Sequence, residues 1–354
     1  MSTLGAAIEM ARRAGGWTQG EIAERAGVTQ ATLSRWEHDL RTPSDEDLRS
    51  IAAAVGVTPD ILLRGRDIEG ALGVDVHMRK SKTAPPTKWR MLEARLNLHR
   101  LRAGKLLEQV QMQARNTVPT FDPFETAPDD AARMVRMQWR MPAGPVRQLM
   151  GWMESAGCVV VEEDFGTRRV EGLSQWIAGH PVALINSTAP TDRKRLTLAH
   201  ELGHLCLHRN EPTDDIERDA FAFAAEFLMP SQAIKSQLRN PELGRLLHLK
   251  REWGVSVQAL IERAASLGTI TGQRRSALYR QISALGWKTS EPGSEEVAVE
   301  HPTLAASIGD AMRASGLTTQ DIAVMVGYAT GDDLGPYTGT QHHGLRVIGG
   351  NTVR

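Results

Sequence analysis

Apolar residues in the first sixty-odd positions recur in short runs at helical spacing, and each run is broken by a turn signal. The breaks are Gly15 and Gly16 before Thr18, Gly27 before Thr29, Pro43 and Ser44 before Asp47, and Gly56 before Thr58 and Pro59. A glycine that ends one helix and a Ser or Thr that caps the next give a compact all-helical unit over 4–63. From Arg64 to Val74 glycines and charges predict a linker, and "KSKTAPPTK" is a second break. Trp89 to Gln113 then reads as one long basic amphipathic helix with Leu92, Leu96, Leu101, Leu106 and Leu107 as its apolar positions. "NTVPTFDPFETAPDD" interrupts again.

Beyond it the pattern turns mixed. Helices are predicted from Asp129 to Trp139 and from Pro145 to Ser155. "GCVVVEE", "TRRVEGLSQWI" and "HPVALINS" read as three strands. A helix follows from Thr191 to near Arg209, and another in "DIERDAFAFAAEFLMP" is ended by Pro230. Further helices are expected over 231–238, 256–267 and 274–285. Late in the chain "IGDAMRASGLTTQDIA" echoes "IEMARRAGGWTQGEIA" without a gap, starting at Ile308 and Ile8. It predicts a helical hairpin that lacks the next helix, since "TGDDLGPYTGTQHHG" is turn-rich.

The first unit has helix-turn-helix spacing. Ile22, Ala23 and Ala26 pack its first helix, Gly27 makes the turn, Val28 fills the gap and Leu33 anchors the second helix. Gln30, Ala31, Ser34 and Arg35 are left facing outward, where Gln suits adenine and Arg suits guanine or phosphate. Gln19, at a helix start, is placed for a phosphate. With Thr29, these residues are the candidate DNA contacts.

Charge complicates that picture. The chain of 354 residues carries no formal net charge, and residues 1–66 hold eight basic against nine acidic side chains, which is a weak footprint for nucleic acid. The basic residues concentrate between Met78 and Arg115, so the long helix is expected to supply the missing attraction. The residues nevertheless resemble the Xre/Cro-like DNA-binding family. Its pattern "TQ-x-x-(I/L)-A-x-x-x-G-V-(S/T)-x-x-x-(I/L)-S-x-x-E" is met by Thr18, Gln19, Ile22, Ala23, Gly27, Val28, Thr29, Leu33, Ser34 and Glu37. The resemblance implies double-stranded DNA as a partner.

The second chemical signal is "HELGH". Residues four apart share one helix face, so His200 and His204 present two imidazoles to one ion, with Glu201 on the adjoining flank to move a proton. His208 lies roughly 12 Å along the axis from His200, too far for the same ion. A third ligand is better sought in the next helix, which offers Glu217, Asp219 and Glu226. Ala220 and Ala224 make a small-residue face that lets it approach, and Gly203 does the same on the first helix. "HPVALINS" is expected to be an edge strand that holds an extended peptide beside the metal, with Asn186 as the candidate substrate contact.

These residues resemble the ImmA/IrrE metallopeptidases, whose signature is "R-x-R-F-T-x-A-H-E-L-G-H" followed by "E-x-x-A-(N/D)-x-F-A-A-x-x-(L/M)-M-P". Arg193, Arg195, Thr197, Ala199, His200 to His204, Glu217, Ala220, Phe223, Ala224, Ala225, Leu228, Met229 and Pro230 match it. The resemblance runs from about Asp122 to Leu285. It implies Zn2+ held by His200, His204 and Glu217, with Asp219 as the fallback ligand, Glu201 as general base and a repressor as protein substrate. Leu196 replaces the usual Phe, and Phe221 stands where Asn or Asp is common; loss of a polar group there is expected to weaken the ligand it would orient.

The expected fold is α+β and mostly helical. It begins with an all-α helix-turn-helix domain over 1–66, then a linker and basic helix over 67–121. A zincin-like metallopeptidase domain with a small β-sheet follows over 122–290, and a helical extension with a flexible tail over 291–354. No apolar run is long enough for a bilayer, and Cys158 and Cys206 are too few for a disulfide framework. A cytoplasmic protein is expected, with a second copy of the chain among its partners. Trp89, Trp139, Trp152, Trp176 and Trp287 read as core, and His180, His248, His301, His342 and His343 as surface or loop. Ser174 and Cys206 have no base partner that spacing identifies. A zincin-like domain that senses a ligand without turnover is the alternative function.

Overall fold

The computed structural model describes residues 3–64, 86–108, 114–167, 170–177, 179–209, 213, 215–288, 290–332 and 334–338. The predicted linker before Val74, most of "KSKTAPPTK", residues 109–113 of the long helix, Glu211, Asp214, and the tail with His342 and His343 lie outside the described residues.

Five short helices form the first unit: α1 (Leu4–Ala14), α2 (Gln19–Arg25), α3 (Gln30–Glu37), α4 (Asp45–Ala54) and α5 (Pro59–Leu63). Local chemistry sets their starts. Thr18 with Glu21 and Ser44 with Asp47 make capping boxes, and the Thr29 hydroxyl accepts the Thr32 amide. Gly27 takes φ 70 between α2 and α3, a left-handed turn that a side chain would strain. Ile8, Ile22, Leu33, Trp36, Ile51 and Ile61 close one core. Within it the Arg12 guanidinium grips Glu37 through two bonds of 2.6 and 2.8 Å, which raises its own affinity for the proton against the opposing effect of burial.

The long helix α6 (Pro86–Leu107) is where sequence and structure part. Trp89, Leu92, Leu96, Ala103 and Leu106 lie along one side and pack with the β-sheet. Ala94, Leu98 and Leu101 lie along the other and pack into the core of the helix-turn-helix unit. At about 100° per residue the two stripes face opposite ways, so α6 has two apolar faces, not one. Three of its cations are engaged inward, while Lys88 and Arg90 are exposed. Arg95 bonds the Ala14 and Asp164 carbonyls at 3.0 and 3.2 Å, Arg102 lies 3.7 Å from the Tyr328 ring centroid, and Lys105 pairs with Asp60 at 2.7 Å. The expectation that this helix lends its positive charge to DNA therefore does not hold for these three residues, because the helix needs them for docking.

Next come α7 (Pro128–Gln138), α8 (Leu149–Ser155), β1 (Val159–Glu163), β2 (Gly172–Ile177) and β3 (His180–Asn186). The sheet order is β1-β3-β2, with β1 parallel to β3 (Val159 opposite Val182) and β2 antiparallel to it (Ser174 opposite Ala183). "HPVALINS" is thus the central strand, not the expected edge. An unbroken run of buried side chains from Pro181 to Asn186 explains this, since a strand covered on both faces and both edges has no exposed positions to alternate. Among the described residues, β1 and β2 each pair with β3 alone and form the outer strands of the sheet.

One face of the sheet, through Val160, Ala183 and Ile185, meets α9 (Thr191–Leu207) and α10 (Ile216–Leu228). Below them lie α11 (Ser231–Ile234), α12 (Leu243–Trp253), α13 (Val257–Ser266) and α14 (Gly272–Ala284). Helix α12 went unrecognised in the sequence. The opposite face, through Val159, Val161, Leu173, Val182 and Leu184, meets α6 and the late hairpin of α15 (Leu304–Ala314) and α16 (Thr319–Val326). That hairpin repeats the first two helices in detail: Thr318 and Asp321 form a capping box, and Gly327 ends α16 at φ 101. Where the next helix would begin, the chain instead docks on the first unit. Thr58 N donates to the Gly327 carbonyl at 3.1 Å and Ala329 N to that of Gly56 at 3.3 Å.

The architecture is α+β and mostly helical, with a helix-turn-helix unit and a small three-stranded sheet. Among the described residues no helix is long and apolar enough to cross a membrane.

Candidate metal centre

Helix α9 buries Leu198, Ala199, Leu202, Leu205 and Cys206 in the larger core, and this fixes its rotation. His200, Glu201 and His204 are then held on its adjoining side, themselves buried. Gly203 brings α10 close: a Cβ there would lie 3.2 Å from the Ala220 backbone and from Phe223 Cβ. This approach carries Glu217 to the two histidines.

The three side chains converge. His200 Nε2 is 3.0 Å from His204 Nε2, and the Glu217 carboxylate oxygens lie 3.4 Å from the first and 3.5 Å from the second. All three ligand atoms sit within 4.8 Å of one another, so the group can hold a metal ion. Asp219, the fallback ligand, is turned away: it accepts the Thr213 hydroxyl at 2.7 Å and lies 3.6 Å from Arg218. Glu226 is also committed elsewhere, to Arg263, to Arg133 at 3.1 Å and to the Ser231 amide at 3.2 Å. His208 stands just past the helix end, with its Nδ1 3.0 Å from Nδ1 of His204.

Glu201 is 2% exposed and accepts the Ser174 hydroxyl on Oε2 at 2.7 Å. The start of β2 lies directly over it, since a Cβ at Gly172 would meet Thr197 Cγ2 at 2.6 Å and Glu201 Oε1 at 2.9 Å. Trp176 fixes the strand by donating to the Leu205 carbonyl at 2.8 Å. Ser174 and Trp176 alternate with Leu173 and Ile177, so strand parity alone sets them on the α9 side. Spacing along the chain gave no such hint for Ser174, because its partner is 27 residues away in another element.

A cavity of about 220 Å³ opens beside the group, lined by Trp89, Val170, Gly172, Leu196, Thr197, Phe221 and the carboxylates of Glu171, Glu201 and Glu217. Trp89, expected as plain core, reaches it from α6. Phe221 does not merely lack a polar group: its ring centroid is 4.2 Å from that of His200. Both departures from the family signature, Leu196 and Phe221, therefore line this cavity.

Asn186 has a different task from the one expected. It is buried, its amide donates to the Thr167 and Val170 carbonyls at 2.7 and 3.1 Å, and its oxygen accepts from Thr188, so it ties the loop before β2 to the end of β3. Arg195 is likewise structural. It bonds the Gly254 and Val146 carbonyls at 2.9 and 2.5 Å and pairs with Glu300, so it is no oxyanion donor. Burial pushes its pKa down despite the attraction of Glu300.

In the first unit Thr29, Gln30, Ala31 and Arg35 are exposed along α3, and Ser34 and Gln19 are partly so. The Gln19 amide donates to Glu37 at 2.8 Å, which orients its side chain at the start of α2.

Comparison with known families agrees with both signals. Residues 153–265 match the model of a peptidase family described as IrrE N-terminal-like domain. Residues 8–62 match the model described as helix-turn-helix. No curated protein and no solved structure matches the chain. The protein joins an Xre-like helix-turn-helix domain to an ImmA/IrrE-like peptidase-family domain.

Proposed function

We propose that this protein is a cytoplasmic transcriptional regulator with zinc-dependent endopeptidase activity, whose substrate is a repressor or another regulatory protein. The observation that carries the reading is the convergence of His200, His204 and Glu217. Ligands around a tetrahedral ion with bonds of about 2.0–2.1 Å stand about 3.3 Å apart, and the three separations here are 3.0, 3.4 and 3.5 Å. Two imidazoles and one carboxylate are also the donor set that leaves zinc a vacant fourth position. Zinc in such a set polarises the scissile carbonyl and makes water a better nucleophile.

The protein's own groups do the rest. Glu201 takes a proton from the attacking water and returns it to the leaving amine as the C–N bond breaks. Ser174, bonded to Oε2, holds that carboxylate in one orientation. The peptide reaches the site along the outer edge of β2, where main-chain pairing fixes an extended substrate. Helix α3 meets DNA through Gln30, Ala31, Ser34 and Arg35, while Gln19 and Thr29 lie near the phosphates. An operator of two half-sites takes two copies of the chain.

The Phe221 ring over His200 favours a second reading, a domain that binds a partner without cutting it. Glu201→Gln separates the two. Incubation of zinc-loaded protein with helix-turn-helix repressors, followed by mass spectrometry, should show cleavage that vanishes in the variant while zinc content and DNA affinity persist. Wild-type protein that retains zinc yet cuts none of them supports the second reading.

A further inference from the structure

We propose that the cleft between the end of α7 and α11 binds a small amphipathic anion, a carboxylate carried on an apolar body. The cleft has a volume of about 740 Å³, in the range of sites that take a whole small molecule. It stands apart from the metal centre. Glu226 lines it nine residues after Glu217 on the same helix, so the two carboxylates are rooted about 14 Å apart along the axis of α10 and a ligand here leaves the metal group open.

Charge selects the head of the ligand. The guanidinium groups of Arg133, Arg136 and Arg140 line the cleft against the carboxylate of Glu226, which Arg263 and Arg133 already hold. Arg133 is matched further by Asp130 at 2.6 Å. The other two are not matched. Arg136 is buried and donates to the carbonyls of Phe227, Pro142 and Gly144, with no carboxylate in ion-pair contact among the described residues. Burial pushes its pKa down against the attraction of Glu226, so a second anion beside it is favoured. Arg140 is exposed, and its side chain has no hydrogen bond or ion pair among the described residues. It also holds φ 53, a left-handed conformation in which glycine would be unstrained, and residues held this way gather at ligand sites. The chain bears that strain and keeps a long cation at the rim. Apolar side chains select the body. Met137 is 74% exposed, and Met141, Pro142 and Pro230 continue its surface, so a hydrocarbon laid over them leaves water together with them.

The test titrates the full-length protein by calorimetry with octanoate and 2-naphthoate, which carry the same charge on a flexible and on a flat body. Octanol and acetate, each lacking one half, are the controls. At least one of the two carboxylates should bind with sub-millimolar affinity, the tighter of them naming the body, and both controls should bind about ten-fold more weakly or worse. Arg140→Gly, which suits the left-handed backbone, should weaken the carboxylate about ten-fold, the scale of one hydrogen bond to a charged group. Arg140→Lys should recover much of the loss. Met137→Ala, at an exposed position, should weaken the carboxylate several-fold and leave acetate unchanged. Octanol that binds as tightly as octanoate, full affinity in Arg140→Gly, or no binding of either carboxylate overturns the site. An affinity that arises only with added Zn2+ puts the carboxylate on the metal and overturns it as well.

Discussion

His204 and His208 meet Nδ1 to Nδ1 at 3.0 Å. A metal at Nε2 of His204 leaves the ring's proton on Nδ1, which then donates to His208, whose own proton must sit on Nε2. His208 is therefore the group that fixes the tautomer and tilt of a ligand. Replacing such a partner typically costs about 10–100-fold in metal affinity. His208→Ala should show a loss of that size in competition with a fluorescent zinc chelator, with the fold unchanged by circular dichroism. Wild-type affinity in the variant would mean the contact is only packing.

Ser174 stands in the same relation to Glu201. Ser174→Ala should lower kcat about ten-fold with KM and zinc content nearly unchanged, since the bond orients the base and touches neither metal ligand. Ser174→Thr, which keeps the hydroxyl, should recover much of the rate. An equal loss in both variants would point to disturbed packing of β2 instead.

For the DNA face, an operator recovered by selection from random sequence supplies the probe. Arg35→Ala should cost about 1–3 kcal/mol and relax preference at one base position. Gln19→Ala should weaken all sequences alike, because a phosphate contact carries no base information. A Gln19→Ala effect confined to particular bases would reassign that residue to direct readout.

Glu226 gives a pH dependence. Its burial alone would raise its pKa, but the bond and charge of Arg263, the Ser231 amide and Arg133 outweigh it and hold the carboxyl below its ordinary range. A depressed folded-state pKa contributes stability that is present above the unfolded value and lost as pH falls through the folded one. Melting temperature should thus drop on acidification below about pH 4, and Glu226→Gln should be less stable at neutral pH with a flatter acid limb. A parallel limb in the variant would remove Glu226 from the acid transition.

Much of this was legible in the sequence, for reasons that differ by element. The "HELGH" helix follows from the period of a helix, which is a local signal, whereas the choice of Glu217 over Asp219 and Glu226 came from the resemblance to the metallopeptidases. The capped helices of the first unit follow from local signals too, at Thr18, Gly27 and Ser44. Position in a sheet is not local. "HPVALINS" is apolar throughout, a run that fits a central strand as well as any other, and only pairing with both neighbours settles its place. Helix α6 misled because two apolar stripes on opposite sides serve different neighbours, so a single stripe with a charged back was the simpler pattern to read. Trp89, Ser174 and Asn186 owe their tasks to partners far along the chain, and no spacing rule reaches that far.

The two-faced helix has an evolutionary corollary. Genes for DNA readers are commonly shuffled onto new effectors by joining at a flexible seam, but here the seam is itself a shared keystone. Moving the reader alone would strip cover from Ala94, Leu98 and Leu101, and moving the effector alone would do the same to Leu92, Leu96 and Leu106. The pair can be inherited or lost together far more easily than traded, and drift in either half is answerable to the other.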